Sequence, residues 1–507
     1  MARVHAAQPG VLRGELVSVE ADLSRGLYSF NIVGLAGKAV DEAKDRVSAA
    51  IKNAGFPSPK SENHKITISL APADLKKEGP LLDLPIALAY LVAAGKCQPI
   101  SEHVVLLGEL ALDGSLRPVR GVLPAVQAAA AAGFHEAVVP EENAAEAALI
   151  DAITVIPASS LREVVTHLDT SHPEHQRLAA QPATHISEDW QEGQTRLDDI
   201  KGQESAKRGL TIAAAGRHNV MLVGPPGTGK TMLARAFQGL LPPLSRAEAL
   251  EVLSIHSLVG NTDSITAEPP FRAPHHTASH TSLVGGGAHP KPGEVTLAHR
   301  GVLFMDEFPE FERRTLDALR QPLEDRVVAV TRVQGSALFP ADFVLIAAMN
   351  PYRGSEDGTT DYAAAMRDTY ANKISGPILD RIDLWIEVPH VPYDTLTARS
   401  NGRTPGRTAE TNAARAAIQH ARTRQAKRYQ DTTITTNAHL RARELDTLIP
   451  LSDEVQDLLK DAAQKLNLSP RSYHRLIKVA RTIADLADNE EIEKPHVLEA
   501  LQYRVSL

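Results

Sequence analysis

Cysteine is nearly absent from this 507-residue chain: Cys97 stands alone, so neither a disulfide framework nor a cysteine-built zinc site can form within one chain. Aromatic residues are scarce at 4%, which leaves Leu, Ile, Val and Ala to fill the interior. No apolar run is long enough to cross a bilayer; the most apolar stretch, Leu81 to Gly95, is short and carries Asp83 and Pro85. The first residues, Met1 to Pro9, lack the apolar centre of a signal peptide, and no membrane association and a cytoplasmic location are the default expectation. Positive charge is not in excess either. A net charge of -8 does not favour nucleic acid as a partner, yet a protein that meets a strand only inside a narrow channel needs only local positive charge.

What is present is ordinary for packed globular domains, with 43% hydrophobic and 23% charged residues, and the length suits roughly three domains of ~150 residues. Residues 1–168 alternate short β-like runs (Lys65–Leu70, Val104–Leu107) with Ala-rich helical runs such as Leu123–Ala132, which reads as a mixed α/β domain. Residues 169–196 shift to His, Pro, Glu, Gln and Thr without periodicity and read as a linker. Residues 197–392 hold continuous apolar runs, Val220–Val223, Val302–Met305 and Phe343–Ala348, as expected of parallel strands buried on both faces. Residues 393–507 read as mostly helical.

The chemistry begins with the segment Gly224-Pro-Pro-Gly-Thr-Gly-Lys-Thr231, which fits G-x-x-x-x-G-K-[ST] and sits between a buried strand and a helix. Gly224, Gly227, Thr228 and Gly229 let backbone N–H groups approach phosphates, Lys230 reaches the β- and γ-phosphates of ATP, and the Thr231 hydroxyl binds Mg²⁺. Asp306 and Glu307 close a second buried run, where Asp306 would hold Mg²⁺ through water and Glu307 would polarise the attacking water. Asn350 ends a third run, placed to hold that water or sense the γ-phosphate.

This series, continued by Leu379-Asp-Arg-Ile-Asp-Leu384, resembles the AAA+ proteins of the magnesium-chelatase and MCM helicase branch. Three longer segments, Phe271–His280 with Gly285–Gly287, Pro292–Pro309 and Ser469–Asp485, resemble the ComM/YifB family, and the resemblance spans essentially the whole chain. It implies an N-terminal Lon-protease-like α/β domain, an AAA+ P-loop domain with a buried parallel sheet, and a C-terminal helical lid of the magnesium-chelatase type. It also implies that Arg381 is an arginine finger reaching a neighbouring subunit's ATP in a ring, most simply a homo-hexamer, and that Arg471 is the sensor-2 arginine of the lid. Without the family, Arg381 reads as a surface ion pair with Asp380 or Asp383. The Lon-like Ser–Lys pair is missing: Leu81 falls at the serine position and Arg120–Val126 holds no lysine, so no protease activity is expected and the domain is read as an assembly or docking module for a protein partner.

Family members often carry a cysteine-rich insertion after the sensor asparagine, but Asn350–Gly358 holds none, so no zinc is expected there. The histidines at 275, 276, 280, 289 and 299 could in principle hold a metal, but a polar loop is the expected reading. Two insertions of this branch face a ring's channel: residues Arg272 to Glu294, and a hairpin Val327–Phe339 turning at Gln334–Gly335. Arg332, Arg272 and Lys291 are the candidate DNA phosphate contacts. The basic stretch Arg403–Arg428 reads as a solvated helix face. The lid helix after Pro470 is expected to place Arg471, Arg475 and Lys478 on one side and Leu476, Val479, Ala480 and Ile483 on its buried side. Three functions fit: a motor moving on DNA for helicase or branch-migration work in uptake and recombination, a chelatase-type ATPase remodelling a protein partner, or a scaffold that binds ATP to assemble. Glu307 and Arg381 count against the last.

Overall fold

The structure is a computed structural model describing the chain except residues 11–13, 36, 78, 191–194, 261–263, 287–290, 333–334, 351–373, 393, 395–408 and 505–507. The side chains of residues 38, 39, 41 and 331–337 are also outside the description. The chain forms two compact units, one of residues 1–187 with 246–266 and one of residues 188–245 with 267–507.

The first unit is built on a seven-stranded mixed sheet. Strands β1 (Ala2–Gln8), β2 (Glu15–Arg25), β3 (Ser29–Val33), β4 (His64–Ala71) and β5 (Val104–Leu106) are followed by a two-residue pair, β6 (Glu109–Leu110) with β7 (Leu116–Arg117), and then β8 (Glu136–Pro140) and β9 (Thr154–Ala158). The sheet order is β3-β4-β2-β1-β5-β8-β9, antiparallel where β2 meets β1 and β4 and parallel elsewhere. Strand β2 alternates buried Val17, Val19 and Ala21 with more exposed Ser18 and Glu20, the period of two that a sheet covered on one face requires. The uncharged run after Asp83 becomes the helix Asp83–Ala93, buried nearly all round, with Asp83 itself held by a two-pronged bond from Arg46 at 2.9 and 3.0 Å.

Two features of this unit differ from the sequence reading. The segment 169–187, read as part of a linker, is fastened to this unit: Gln98 N–H donates to Asp169 at 3.2 Å, Gln181 N–H to Val155 O at 2.8 Å, and Thr184 N–H to Ala148 O at 3.0 Å. A polar, Pro-rich composition hides such ties, because they use backbone groups. The helix Arg246–Val259, from the middle of the region assigned to the P-loop domain, also belongs here. It buries Ala249, Val252 and Leu253, accepts a bond from Gly121 N–H on Ser257 O at 3.0 Å, and pairs Arg246 with Asp151 at 2.5 Å. Leu81, 4% exposed, sits in the short turn Pro80–Leu82, and Gly121 caps the helix Val122–Ala131 with a left-handed φ of 75°.

The second unit carries a five-stranded sheet in which every neighbouring pair is parallel, with order β11-β14-β17-β10-β18. Its strands are β10 (Val220–Val223), β11 (Phe271–Arg272), β14 (Val302–Met305), β17 (Val344–Met349) and β18 (Leu384–Glu387). Two hairpins stand apart from it, β12 (Gly285–Gly286) with β13 (Lys291–Pro292), and β15 (Val327–Arg332) with β16 (Gly335–Pro340). Every residue of β10, β14 and β17 is buried, which is why these strands read as unbroken apolar runs. In the second hairpin Arg332 pairs with Gly335, so Gly335 opens the returning strand instead of sitting in the turn; Gln334 lies outside the described residues. The C-terminal part is helical, with helices Ala409–Arg428, Ala442–Leu448, Asp453–Lys465, Pro470–Leu486 and Lys494–Gln502.

The helix Ala409–Arg428 is not a solvated basic face. It packs against the helices Glu204–Gly216 and Pro470–Leu486, and its arginines are spent on internal ties. Arg415 donates to Gly239 O at 2.9 Å and lies over the Trp190 ring at 4.6 Å, Arg422 donates to Ala214 O at 2.8 Å, and Arg428 grips buried Asp485 at 2.5 and 3.0 Å. Long cationic side chains can bury their stems while their heads find carbonyls, which a charge count does not reveal. Arg403 and Arg407 lie outside the described residues.

Candidate nucleotide site

The loop Gly224–Gly229 leaves the end of β10 and leads into the helix Lys230–Gln238. It lies at the carboxyl edge of a parallel sheet, and β10 sits between β17 and β18, the crevice where open α/β sheets bind ligands. Gly227 and Gly229 take left-handed φ angles of 78° and 89°, and a Cβ on either would meet nothing within 4 Å, so the loop is open on that side. Gly224 differs: a Cβ there would lie 2.1 Å from Val388 O, so only glycine lets the loop begin so close to the strand beside it. The helix starts on Gly229 and buries Leu233, Ala234, Ala236 and Phe237, which pins its positive end beneath the loop.

Lys230 is buried, and its three ammonium donors meet three oxygens: Gly224 O at 2.7 Å, Pro225 O at 2.8 Å and Asn350 Oδ1 at 2.9 Å. Burial lowers its pKa from the ordinary lysine value, and the Asp306 carboxylate opposes that shift. Thr228 closes the loop with a hydroxyl bond to Pro225 O at 2.9 Å. The Thr231 hydroxyl donates to Asp306 Oδ2 at 3.0 Å, so the two oxygens expected to share Mg²⁺ are already neighbours. Asp306 also accepts from Glu307 N–H at 2.9 Å. Glu307 has a left-handed φ of 50°, uncommon for a side chain of this size, which turns its carboxylate out of the strand line. Glu307 and Asp306 line a cleft of about 300 Å³ with Ala273, Pro274, His275, His276 and Phe304. An open glycine cradle, a buried lysine and a hydroxyl–carboxylate pair fit a nucleoside triphosphate with Mg²⁺.

Within the same unit lies a second cluster that the one-dimensional reading separated. Arg381 and Arg471 line one cavity of about 420 Å³ together with Arg326, Arg475, Lys478 and Arg217, and no residue of the P-loop borders it. Arg381 is bonded to Pro377 O and to Glu324, and Glu324 also lies 4.0 Å from Arg471. The ion-pair partner of Arg381 is therefore Glu324, not Asp380 or Asp383. Burial, and then the like charges of Arg471 and Arg320, lower the Arg381 pKa. Arg475, given no particular role by its place in the lid helix, donates to Ile382 O at 2.6 Å and to Leu379 O at 3.5 Å, holding the backbone on both sides of Arg381. Asp383 in turn receives His218, whose other ring nitrogen meets Thr482 Oγ1 at 2.8 Å. The lid helix thereby ties itself to the segment carrying Arg381, with Leu476, Val479, Ala480 and Ile483 on its buried side as its spacing requires.

The proposed strand contacts divide. Arg272 is committed inside the unit, with a two-pronged bond to Glu294 at 2.7 and 2.9 Å. Its position in the insertion suggested freedom, but Glu294 returns beside it at the end of the same insertion. Lys291 is exposed on β13. The Arg332 side chain lies outside the description, as do the stretch after Asn350 and His289. Of the remaining histidines, His275 and His276 lie ring to ring at 4.1 Å and His276 meets Glu307, while His299 is elsewhere and accepts from Asp342 N–H at 3.0 Å. Among the described residues no group of three or more His, Cys, Asp or Glu could hold a metal ion, and no helix is long and apolar enough to cross a membrane. Cys97 is buried in the first unit, which pushes its thiol up to about 12.

Comparison with known proteins agrees with this arrangement. Residues 196–396 match the family described as magnesium chelatase, subunit ChlI, residues 408–504 match its C-terminal part, and residues 19–143 match a further ChlI segment. Competence protein ComM of Haemophilus influenzae is 44% identical over 97% of this chain and 95% of its own length. YifB of Salmonella typhimurium is 43% identical over 99% of this chain and 97% of its own. A Lon protease of Azorhizobium caulinodans is 26% identical over 34% of this chain. With a P-loop at the edge of a parallel sheet and near full-length relatives, the chain is a member of the ComM/YifB family of magnesium-chelatase-like AAA+ ATPases.

Proposed function

We propose that this ATPase works as one subunit of a ring, a homo-hexamer in its simplest form, that moves on single-stranded or branched DNA to unwind it or migrate its branches. The observation that carries the ring is the placement of Arg381 and Arg471 in a cavity without a P-loop residue. Two arginines gathered away from the subunit's own Lys230 suit the phosphates of a neighbour's nucleotide, where they would stabilise charge on the transferring phosphoryl group.

Within one subunit the distances described above support the following division of labour. Lys230 holds the β- and γ-phosphates once it exchanges Asn350 and the loop carbonyls for phosphate oxygens. Thr231 and Asp306 would hold Mg²⁺, which when bound would neutralise phosphate charge. Glu307 orients and polarises the attacking water, and Asn350, released from Lys230, is positioned to bond that water or the γ-phosphate.

The DNA reading is supported by the hairpin β15–β16 and by exposed Lys291, which six copies around a channel would multiply into useful affinity, and by the word competence in the name of the ComM relative. The first unit, without a serine or lysine at the protease positions, serves as an assembly or docking module and is proteolytically silent. A second reading, remodelling of a protein partner, draws on the ChlI match across the ATPase core. Steady-state ATPase rates with and without single-stranded and branched DNA, at two salt concentrations, separate the two. Stimulation that fades with salt is expected; an ATPase indifferent to DNA would favour the protein partner.

A further inference from the structure

The run Val220–Val223 is apolar throughout, yet the residue before it is not: Asn219 stands half-buried at the amino end of β10. Both ends of its side-chain amide are used. Nδ2 donates to Arg381 O at 2.9 Å, and Oδ1 accepts from the N–H of Leu345, the second residue of β17, at 2.9 Å. The main chain is engaged as well, with Asp383 N–H and Leu384 N–H donating to Asn219 O at 2.9 and 3.0 Å and Asn219 N–H donating to Asp383 Oδ2 at 3.2 Å. One residue thus joins the amino ends of β10, β17 and β18 and grips the peptide of Arg381. The double duty needs a donor and an acceptor on one short stem; aspartate lacks the donor and leucine lacks both.

We infer that Asn219 is a positioning residue that sets where the Arg381 guanidinium arrives at a neighbouring subunit's nucleotide. This rests on the reading of Arg381 as acting on a neighbour. To meet a phosphate the guanidinium must leave Glu324, so its present side-chain bonds cannot fix its arrival; the backbone it swings from must do so. That backbone is held at three carbonyls, Leu379 O and Ile382 O by Arg475 of the lid helix and Arg381 O by Asn219. Asn219 lines the same cavity as Arg381 and Arg471. It also directly precedes β10, whose far end opens into the loop at Gly224. At ~3.3 Å per residue, roughly 16 Å of one buried strand separates the anchor of Arg381 from the subunit's own phosphate loop. The arginine offered to a neighbour is therefore registered to the strand that carries that loop.

The test uses the full-length chain with ATP and Mg²⁺. Asn219→Asp keeps the acceptor for Leu345 N–H and removes the donor to Arg381 O. It is expected to lower kcat about 10- to 10²-fold, the cost of a displaced catalytic group, with the affinity for a fluorescent ATP analogue unchanged. Asn219→Ala should behave alike, and the near-isosteric Asp variant decides the question if the alanine variant fails to fold. In an Arg381→Ala background neither substitution should slow single-turnover hydrolysis further, because both act through one group. Mixing gives a readout that a merely structural role would not move. Asn219→Asp should regain part of its activity with Lys230→Ala, which keeps a well-placed Arg381, and none with Arg381→Ala. The opposite pattern would place the damage at the variant's own phosphate loop and overturn the inference. Wild-type turnover in both Asn219 variants, or a further loss in the Arg381→Ala background, would overturn it too, while a slow Arg381→Ala variant left the role of Arg381 standing. Unchanged turnover in Arg381→Ala, or no recovery when that variant is mixed with Lys230→Ala, would overturn the action on a neighbour and this inference with it.

Discussion

The Lys230 ammonium donates to Asn350 Oδ1 at 2.9 Å, joining the helix that follows β10 to the residue just past β17. On the function proposed above the two side chains are partners in one exchange: phosphate oxygens that take Lys230 would free the Asn350 amide. Lys230→Ala is expected to abolish ATP binding in a fluorescent-nucleotide titration, since charge-assisted bonds of ~1.5–3 kcal/mol each are lost. Tight binding retained by that variant would contradict the loop assignment.

Glu307→Gln keeps the shape of the side chain and removes its charge. It should bind ATP with near wild-type affinity while kcat falls by about 10²–10⁴, the usual worth of a positioned base. Single-turnover hydrolysis measures the chemical step directly, and near-normal turnover would strip Glu307 of its role.

Arg381→Ala should assemble but hydrolyse ATP about 10³-fold more slowly or worse, as loss of an arginine finger does. If the arginine acts on a neighbour, mixing inactive Arg381→Ala with inactive Lys230→Ala restores part of the activity, because each variant supplies what the other lacks. No recovery on mixing would assign Arg381 to its own subunit or to the ion pair with Glu324.

Arg272→Ala tests whether this side chain serves the fold through Glu294 or a bound strand. The bidentate pair with Glu294 is less than one-third exposed, so its loss should cost about 1–2 kcal/mol of stability. Thermal unfolding reads this cost; a DNA-affinity loss with unchanged stability would return Arg272 to the strand-binding set.

Acid sensitivity is expected from Asp342 and His439, 3.3 Å apart. Burial alone would raise the Asp342 pKa, but Arg217, His439 and Arg326 outweigh it and hold the carboxyl well below its ordinary value. Burial drives His439 from 6.5 down to about 4, against the pull of Asp342. Both folded-state values are depressed, so both contributions are fully present above the unfolded values and fade as pH falls. For His439 the window is pH 6.5 down to about 4, and Asp342 adds its loss below the ordinary carboxylate range. Melting temperature measured across that window should fall with pH, and His439→Asn should flatten the upper part of the slope.

What the sequence determined on its own is which residues gather around the P-loop. Gly224–Thr231, Asp306, Glu307 and Asn350 each sit at the end of an unbroken apolar run, and strands buried on both faces of a parallel sheet have no other way to read. Backbone geometry then carries their side chains to one edge, so the site was legible without coordinates. The tertiary structure decided what depends on partners far apart in the chain. Arg272 looked available until Glu294 was found beside it, and Arg415, Arg422 and Arg428 looked solvated until their carbonyl and carboxylate partners were in place. The gathering of Arg381 with Arg471 around Glu324, the hold of Arg475 on the backbone beside Arg381, and the contact of His276 with Glu307 belong to the same class. A charged side chain carries no sign in the sequence of whether a partner waits across the fold, because its bond is settled by distance in space and desolvation, neither of which has a period along the chain.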